Sequence, residues 1–128
     1  MFGDDLIPEE VTELLGVEPS QSYKMGDERP RGSQYYKTGG WLIKSGGVPI
    51  GESREGEEKF EEWLSELPDD KFAWSSLIEK FEIKARLVGY TDQWNADYTI
   101  SPGALNESTK RGLPLMIDPF LSLDEPDV

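Results

Sequence analysis

The chain of 128 residues contains no cysteine and no histidine. These absences exclude disulfides, thiol nucleophiles and the ordinary zinc sites. A serine hydrolase is excluded as well, because the chain has no histidine base and no Gly-x-Ser-x-Gly motif. The Gly-x-x-x-x-Gly-Lys pattern of phosphate-binding loops is also missing. Acid–base chemistry would fall to Asp, Glu, Lys or Tyr, and no spacing of those residues points to an enzyme.

Long apolar runs are absent too, since no stretch approaches the roughly 18 apolar residues that a membrane span requires. The first stretch, MFGDDLIPEE, is acidic and poor in apolar residues, which is unlike a signal peptide. The sequence therefore predicts a cytoplasmic protein without membrane contact. The length predicts a single domain, over residues 1–121, followed by an acidic C-terminal tail over residues 122–128.

Basic residues are scarce: 13 Lys and Arg stand against 26 Asp and Glu, a net charge of −13. Proteins that bind nucleic acids present an excess of Lys and Arg, because much of their affinity comes from counterion release. The composition therefore argues against a nucleic acid as partner. An acidic protein can instead attract a basic partner and speed its capture. The alternative is that the charge serves only solubility.

Local signals predict four helices, from Pro8 to Gly16, from Glu57 to Leu67, from Asp70 to Phe81 and from Ser101 to Gly112. A proline in the first turn and a glycine stop mark the first and the last of them. Strands are predicted over residues 34–45, 82–90, 97–101 and 113–117. Gly39 and Gly40 are interpreted as a bulge or a point of close approach within a strand.

These elements predict an α+β fold, with a mixed, mostly antiparallel sheet and helices packed mainly on one face. The first and the last helix are each flanked by extended segments, so two β-α-β pieces would share the sheet. This similarity between the two segments is interpreted either as an internal β-α-β repeat or as coincidence.

A basic segment runs from Lys24 to Lys44, and we call it the basic island. It holds five of the 13 basic residues and two acids, a net of +3. Three interpretations are open: its arginines pair with the domain's own acids while Trp41 packs in the core, it binds an anionic ligand, or it binds a protein. The candidate binding residues are Arg29, Arg31, Tyr35, Tyr36 and Lys37, together with Trp94 in a predicted hairpin loop.

Three motifs resemble a known family: Gly3-Asp4-Asp5-Leu6 followed by Pro8, Leu15-Gly16 with Glu18-Pro19, and Lys37-Thr38-Gly39-Gly40-Trp41. Over nearly its whole length the chain resembles the bacterial family catalogued as a domain of unknown function, DUF4279. The resemblance implies a small α+β domain and a bacterial origin. It implies no catalytic residues, because no activity defines the family. Analogy with other small bacterial domains suggests an immunity or partner protein.

Two departures from the family pattern concern the N-terminus. Relatives usually have a strand before Gly3, where this chain has only Met1 and Phe2. We therefore expect a weak sheet edge near residues 1–6, which accepts a strand from a partner or from a second copy in a homodimer. Ile7 stands where a capping Asp, Ser or Thr is expected.

Two acidic constellations have alternative interpretations. Asp4 and Asp5 can form a cation site, although turn formation before the first helix explains them without an ion. Asp69, Glu82 and Lys84 match the pattern of PD-(D/E)xK nucleases, in which two carboxylates hold a metal and the lysine helps to activate water. The helical spacing between them and the net charge argue against a nuclease, so no metal and no cofactor is expected.

The sequence therefore predicts a non-enzymatic bacterial protein-interaction module that binds a basic partner, in its most specific form an immunity protein. A small anionic-ligand binder that uses the basic island is the alternative. A metal-dependent hydrolase is a remote alternative.

Overall fold

A computed structural model describes residues 1–32, 34–49, 54–92 and 98–121. In chain order its elements are β1 (Phe2–Gly3), α1 (Pro8–Leu15), β2 (Gln21–Tyr23), β3 (Gly39–Leu42), β4 (Val48–Pro49), α2 (Glu55–Glu66), α3 (Lys71–Lys80), β5 (Ala85–Thr91), α4 (Pro102–Arg111) and β6 (Leu115–Leu121). This confirms the α+β class. The predicted tail, residues 122–128, lies outside the described residues.

The chain divides into two compact units. Unit 1 comprises Met1–Lys44 and Pro68–Lys84, and unit 2 comprises Ser45–Leu67 and Ala85–Val128. Unit 1 holds α1 and α3, and unit 2 holds α2 and α4. None of the helices in the described ranges is long and apolar enough to cross a membrane.

Unit 1 contains an antiparallel sheet of three strands in the order β1-β3-β2. The central strand β3 pairs with β1 through Gly40 opposite Phe2, and with β2 through Gly40 opposite Tyr23. Because β1 and β2 both run antiparallel to β3, they are parallel to each other, and α1 connects them. Unit 1 therefore contains a β-α-β piece whose two parallel strands are separated by β3.

Helix α1 begins and ends where the sequence predicts. Pro8 occupies its first turn, and Gly16 ends it in a left-handed conformation with φ 75°, which glycine adopts without strain. Val11 is buried, and the Thr12 hydroxyl accepts a hydrogen bond of 3.0 Å from the indole of Trp41 in β3. Trp41 itself is buried, as one interpretation of the basic island expects.

The N-terminus of α1 has no side-chain cap. Ile7 occupies the N-cap position in an extended conformation and makes no capping hydrogen bond. Replacement of Ile7 by serine is expected to raise the free energy of unfolding by about 0.5–1 kcal/mol, because the hydroxyl can accept an unpaired N–H of the first turn. Urea denaturation measures the change. Ile7→Ala is the control, and a serine variant no more stable than the alanine variant would contradict the prediction.

The first two residues occupy one edge of the unit 1 sheet. The Met1 ammonium donates to the Trp41 carbonyl at 3.1 Å, and burial lowers the pKa of this amine from 8.0 to about 6. On its other side, Phe2 exchanges two backbone hydrogen bonds of 2.9 Å with Glu82. A second copy would have to displace Glu82 to add a strand here, and the homodimer through residues 1–6 stays a prediction.

Unit 2 contains a parallel sheet of three strands in the order β4-β5-β6. Strands β5 and β6 pair over their full length, from Ala85 opposite Leu115 to Thr91 opposite Leu121. Helix α4 connects these two strands. The prediction of one shared, mostly antiparallel sheet therefore holds only in part. The sheet of unit 1 is antiparallel. The sheet of unit 2 is parallel, because helical crossovers rather than hairpins join its strands.

Helix α2 covers one face of the parallel sheet at β4 and β5. Along β5, Ala85, Leu87 and Thr91 are buried, whereas Arg86 and Tyr90 between them are exposed. Helix α2 packs against β4 and β5, so the buried positions face that helix. This alternation confirms a half-buried strand in the predicted segment, although β5 begins at Ala85 rather than at residue 82 and ends at Thr91 rather than at residue 90.

Helix α4 has the predicted ends. Ser101 caps it by accepting a hydrogen bond of 3.0 Å from the Ala104 N–H, and Gly112 ends it with φ 74°. The Ser101 hydroxyl also donates to the Glu61 carboxylate of α2 at 2.6 Å. Glu61 therefore lies at the positive end of α4, where a negative charge is favourable. Gly103 makes room for it, since an added Cβ would collide with that carboxylate.

A buried arginine, Arg111, links the C-terminal ends of α2 and α4. The residue is 2% exposed. Its guanidinium donates to the Leu67 carbonyl at the end of α2 and to the Glu107 carboxylate one turn earlier in α4, both at 2.6 Å. The hydrogen bond from Arg111, and then that from Lys110, lower the pKa of Glu107. Nothing in the sequence pattern predicts a buried charge here.

Several predicted strands are wrong in extent. The strand predicted over residues 34–45 is reduced to β3, because residues up to Tyr36 belong to a hairpin. The described residues 98–101 form no strand, and β6 continues past residue 117 to Leu121. The two-residue strand β4 is not among the predicted strands. Such short strands show no alternation that a sequence pattern could reveal.

Candidate binding surfaces

The basic island begins as a small hairpin. The Tyr36 N–H donates to the Asp27 carbonyl, and the Arg29 N–H donates to the Gln34 carbonyl, both at 2.9 Å. At the turn between these arms Arg31 has φ 70°, a conformation that is uncommon outside glycine. Residues 26–32 therefore form one arm and the turn of this hairpin.

Aromatic stacking holds the hairpin to the sheet of unit 1. The rings of Tyr23 and Tyr36 stack with their centroids 3.6 Å apart and their planes 7° apart. The Arg29 guanidinium lies over the Tyr36 ring, 5.2 Å from its centroid, which is within cation–π range. Burial and the neighbouring Tyr36 raise the pKa of Tyr23, whereas Arg29 lowers it. We call these three side chains the tyrosine stack.

Gly40 makes room for the tyrosine stack. It lies opposite Tyr23 in the sheet, and an added Cβ would be 2.5 Å from the phenol oxygen and 2.7 Å from Cε2. At Gly39 an added Cβ would be 2.8 Å from the Gly3 carbonyl oxygen. All three distances are well below ordinary contact, so the close approach predicted at this glycine pair is confirmed.

The predicted binding residues fall into two groups. Arg29, which is exposed, and the half-buried Tyr36 belong to the tyrosine stack, whereas Arg31, Tyr35 and Lys37 are exposed residues outside it. Across the described residues none of these cations makes a salt bridge. The ion pairs that the structural interpretation of the basic island expects are therefore not found there, and a tyrosine ring contacts Arg29 instead. The remaining candidate, Trp94, lies outside the described residues.

A second candidate surface is the acidic side of α2. Glu58, Glu62 and Glu66 recur every four residues and are exposed, and we call them the glutamate stripe. In the part of the chain that the structure describes, none of the three forms a salt bridge, whereas Lys59 pairs with Glu55 at 2.8 Å. Unit 2 as a whole carries 14 acidic and five basic residues, a net charge of −9.

Comparison with known families identifies the chain. A family model described as a domain of unknown function, DUF4279, matches residues 1–122. The chain belongs to the DUF4279 family. No curated protein and no solved structure matches it. In this DUF4279 chain the glycines of the family-like motifs have structural roles: Gly16 ends α1, Gly39 lies against Gly3, and Gly40 accommodates the tyrosine stack.

The two acidic constellations of this DUF4279 chain belong to unit 1. Asp4 and Asp5 are exposed in the turn before α1, and Asp69 is exposed before α3. The Glu82 carboxylate pairs with Lys84 at 3.1 Å. Over residues 1–32, 34–49, 54–92 and 98–121, no group of three or more His, Cys, Asp or Glu is placed to hold a metal ion.

The parallel sheet carries a set of exposed apolar residues that no sequence pattern predicts. Tyr90 of β5 and Met116 and Phe120 of β6 are exposed large side chains. The predicted last strand ended at residue 117, before Phe120. The pairing of Tyr90 with Phe120 joins positions 30 residues apart, and no local pattern indicates it.

Proposed function

We propose that this DUF4279 chain is a non-enzymatic protein-interaction module that binds a basic partner through the glutamate stripe of α2. The observation that supports this most is the position of the stripe. Glu62 and Glu66 lie toward the C-terminus of α2, where the last turn holds no basic residue. Carboxylates are unfavourable there, because the unpaired carbonyls of a helix end are themselves negative. The stripe therefore costs helix stability, and it offers a positive partner an unneutralised surface.

The charge of unit 2 favours the same proposal. With a net charge of −9, this unit creates a negative field that attracts a positively charged protein. Such a field mainly raises the association rate, and salt screens it over about 10 Å at 0.1 M ionic strength. In its finer form the proposal is an immunity role in the bacterial cytoplasm, where the partner is a basic toxin that the chain neutralises.

In the test, all three residues of the glutamate stripe are replaced by glutamine. This variant is compared with a control variant whose substitutions lie on another helix. The control changes Glu9, Glu10 and Glu13 of α1 to glutamine, which alters the net charge equally at exposed positions of unit 1. Proteins captured from the source organism by the wild-type chain are identified and purified, and their association rates are measured by stopped flow at low and high salt.

We expect a basic partner whose association rate at low salt falls about tenfold or more with the stripe variant and little with the α1 variant. High salt should remove most of the difference. Equal effects of the two variants would assign the attraction to net charge rather than to α2. An unchanged rate with both variants would reject the proposal. Co-expression with the product of a neighbouring gene tests the immunity form.

An anion-binding role of the basic island is the second candidate, supported by the exposure of Arg31, Tyr35 and Lys37. The double variant Arg31→Ala/Lys37→Ala removes two exposed cations without touching the tyrosine stack. Calorimetric titration with phosphate and citrate should show binding that this variant loses while its stability stays unchanged. Absence of heat with the wild-type chain would rule the candidate out. A plasmid-nicking assay with Mg²⁺ and Mn²⁺ tests the remote hydrolase alternative.

A further inference from the structure

The parallel sheet of unit 2 has one face that presents apolar side chains to solvent. Alternate residues of β5 and β6 share this face, because Arg86 pairs with Met116, Val88 with Asp118 and Tyr90 with Phe120. Tyr90 is 47%, Met116 41% and Phe120 53% exposed. Parallel sheets are ordinarily covered on both faces. This surface, which we call the open face, is therefore the kind of surface that another element covers.

The charges on the open face are already matched. Arg86 donates to the Asp118 carboxylate on the neighbouring strand. A partner that covers Tyr90 and Phe120 would therefore bury a paired charge rather than an isolated one, which avoids the largest desolvation cost. The open face thus combines two aromatic rings, the Met116 side chain and a paired charge. Interface hot spots are commonly built from aromatic and arginine side chains of this kind.

The outer edge of β6 is less suited to binding than the open face. The Ala85 N–H donates to the Pro114 carbonyl at 2.9 Å, so in the parallel ladder the even-numbered residues of β6 bond to β5. The odd-numbered residues direct their backbone groups outward. Pro119 is one of them and has no N–H to offer to an added strand. An occupant therefore lies on the face rather than beside the edge.

Charge indicates which occupant fits. Unit 2 carries a net charge of −9, so a second copy on this face would bring two strongly negative units together. Asp92 is exposed directly after β5, close in sequence to Tyr90. A partner with an apolar face bordered by Lys and Arg matches both the rings and this charge.

We propose that the open face binds an amphipathic basic helix of a partner protein, with apolar side chains on Tyr90 and Phe120. This inference rests on the proposed function, because it names the segment by which the basic partner is held after the negative field has attracted it. Helix-in-groove complexes use apolar anchors in this way. The glutamate stripe would then govern the association rate, and the open face would govern the lifetime of the complex.

The experiment uses the full chain and a two-heptad peptide of leucine and lysine at helical spacing as the probe. Dissociation constants are measured by fluorescence anisotropy for the wild type, Tyr90→Ser and Phe120→Ser. Phe72→Ser is the matched control, because Phe72 is an 81% exposed aromatic residue on α3 of unit 1. Tyr90→Ser and Phe120→Ser should each weaken binding about tenfold or more, and the control should bind as the wild type does. A leucine–glutamate peptide of the same pattern should not bind.

Four outcomes would overturn the inference. Binding that survives in both Tyr90→Ser and Phe120→Ser places the peptide elsewhere, and equal loss in Phe72→Ser shows non-specific adhesion. Equal binding of the leucine–glutamate peptide removes the charge argument. A wild-type dimer in analytical ultracentrifugation that Phe120→Ser makes monomeric identifies a second copy as the occupant.

The same peptide separates this inference from the proposed function. If the stripe variant slows association while Phe120→Ser has no effect, the proposed function stands and the open-face inference fails. If Phe120→Ser shortens the lifetime of the complex while the stripe variant associates as fast as the wild type, the proposed function fails instead. Thermal unfolding of each variant verifies that these exposed substitutions leave the fold intact.

Discussion

Replacement of Arg111 by methionine is expected to lower the free energy of unfolding by about 1–3 kcal/mol, as when a buried hydrogen-bond acceptor is left without its donor. The arginine is 2% exposed and donates to the Glu107 carboxylate and to the Leu67 carbonyl. Methionine has no donor to offer, so both acceptors lose this hydrogen bond. Urea denaturation followed by tryptophan fluorescence measures the loss.

Lys110→Met is the matched control for Arg111, because Lys110 contacts the same Glu107 carboxylate at 3.1 Å from an exposed position. An exposed ion pair contributes about 0–1 kcal/mol, so this variant should unfold almost as the wild type does. Equal losses in the two variants would contradict a buried structural role for Arg111.

The titration of Glu107 offers a second readout. Its pKa is lowered chiefly by the hydrogen bond from Arg111, so Arg111→Met should raise that pKa toward its ordinary value of 4.5. A carboxyl group whose pKa is lowered by folding stabilises the fold at pH values above its ordinary pKa. This contribution is lost as the pH falls through the lowered pKa. The variant should therefore lose less stability than the wild type on acidification below about pH 4.5, as acid titration followed by NMR would show.

Replacement of Gly40 by alanine is expected to lower the free energy of unfolding by about 2–3 kcal/mol. The added Cβ would be 2.5 Å from the Tyr23 phenol oxygen, so the ring must move. Overpacking of this kind costs about 1–3 kcal/mol. The movement also breaks the stacking with Tyr36, and an aromatic pair contributes about 0.5–1.5 kcal/mol. Chemical denaturation measures the sum.

A double-mutant cycle tests the cause of that loss. In a Tyr23→Ala background the same Gly40→Ala change should cost much less, because the ring that it collides with is gone. Gly32→Ala is the control in the same segment, since an added Cβ there meets only one atom, at 4.0 Å. A Gly40→Ala cost that does not depend on Tyr23 would refute the steric explanation.

The Gly40 result also bears on how the basic island is interpreted. A large loss with Gly40→Ala, together with a stability loss in Arg29→Ala, would assign the Tyr23 side of the hairpin to structure. Arg31 and Lys37 would then be the residues left for a ligand, because they are exposed and make no salt bridge in the described ranges. The island thus divides into a structural part and a candidate binding part.

Helices could be predicted closely from local residues. Pro8 with Gly16, and Pro102 with Gly112, mark the ends of α1 and α4 as the structure has them. Asp70 caps α3 through hydrogen bonds to its first N–H groups. These signals act within about four residues, because capping groups bond to the nearest turn. The absence of a cap at Ile7 could be recognised for the same reason.

Strand pairing could not be predicted with the same success. Gly39 and Gly40 gave β3 no side-chain alternation, yet β3 is the central strand of its sheet. The division into one antiparallel and one parallel sheet depends on which segments meet across the fold. Hydrogen bonds between strands join residues far apart in the chain, so a local pattern does not select the partner.

Candidate sites show the same contrast. The basic island and the excess of acid were visible as composition, because charge is a property of the residues themselves. The tyrosine stack, the buried Arg111 and the open face were not. Each depends on neighbours distant in sequence, such as Leu67 for Arg111 and Phe120 for Tyr90.

By itself, the sequence determined the α+β class, the limits of the helices, the excess of acid and the exclusion of cysteine and histidine chemistry. Those properties follow from residue types and from interactions within a few positions. Only the tertiary structure decided which strands pair, that an arginine lies buried between helix ends, and that one face of the parallel sheet exposes aromatic rings. Burial and exposure arise when distant segments pack together, because each segment removes its neighbour's surface from water.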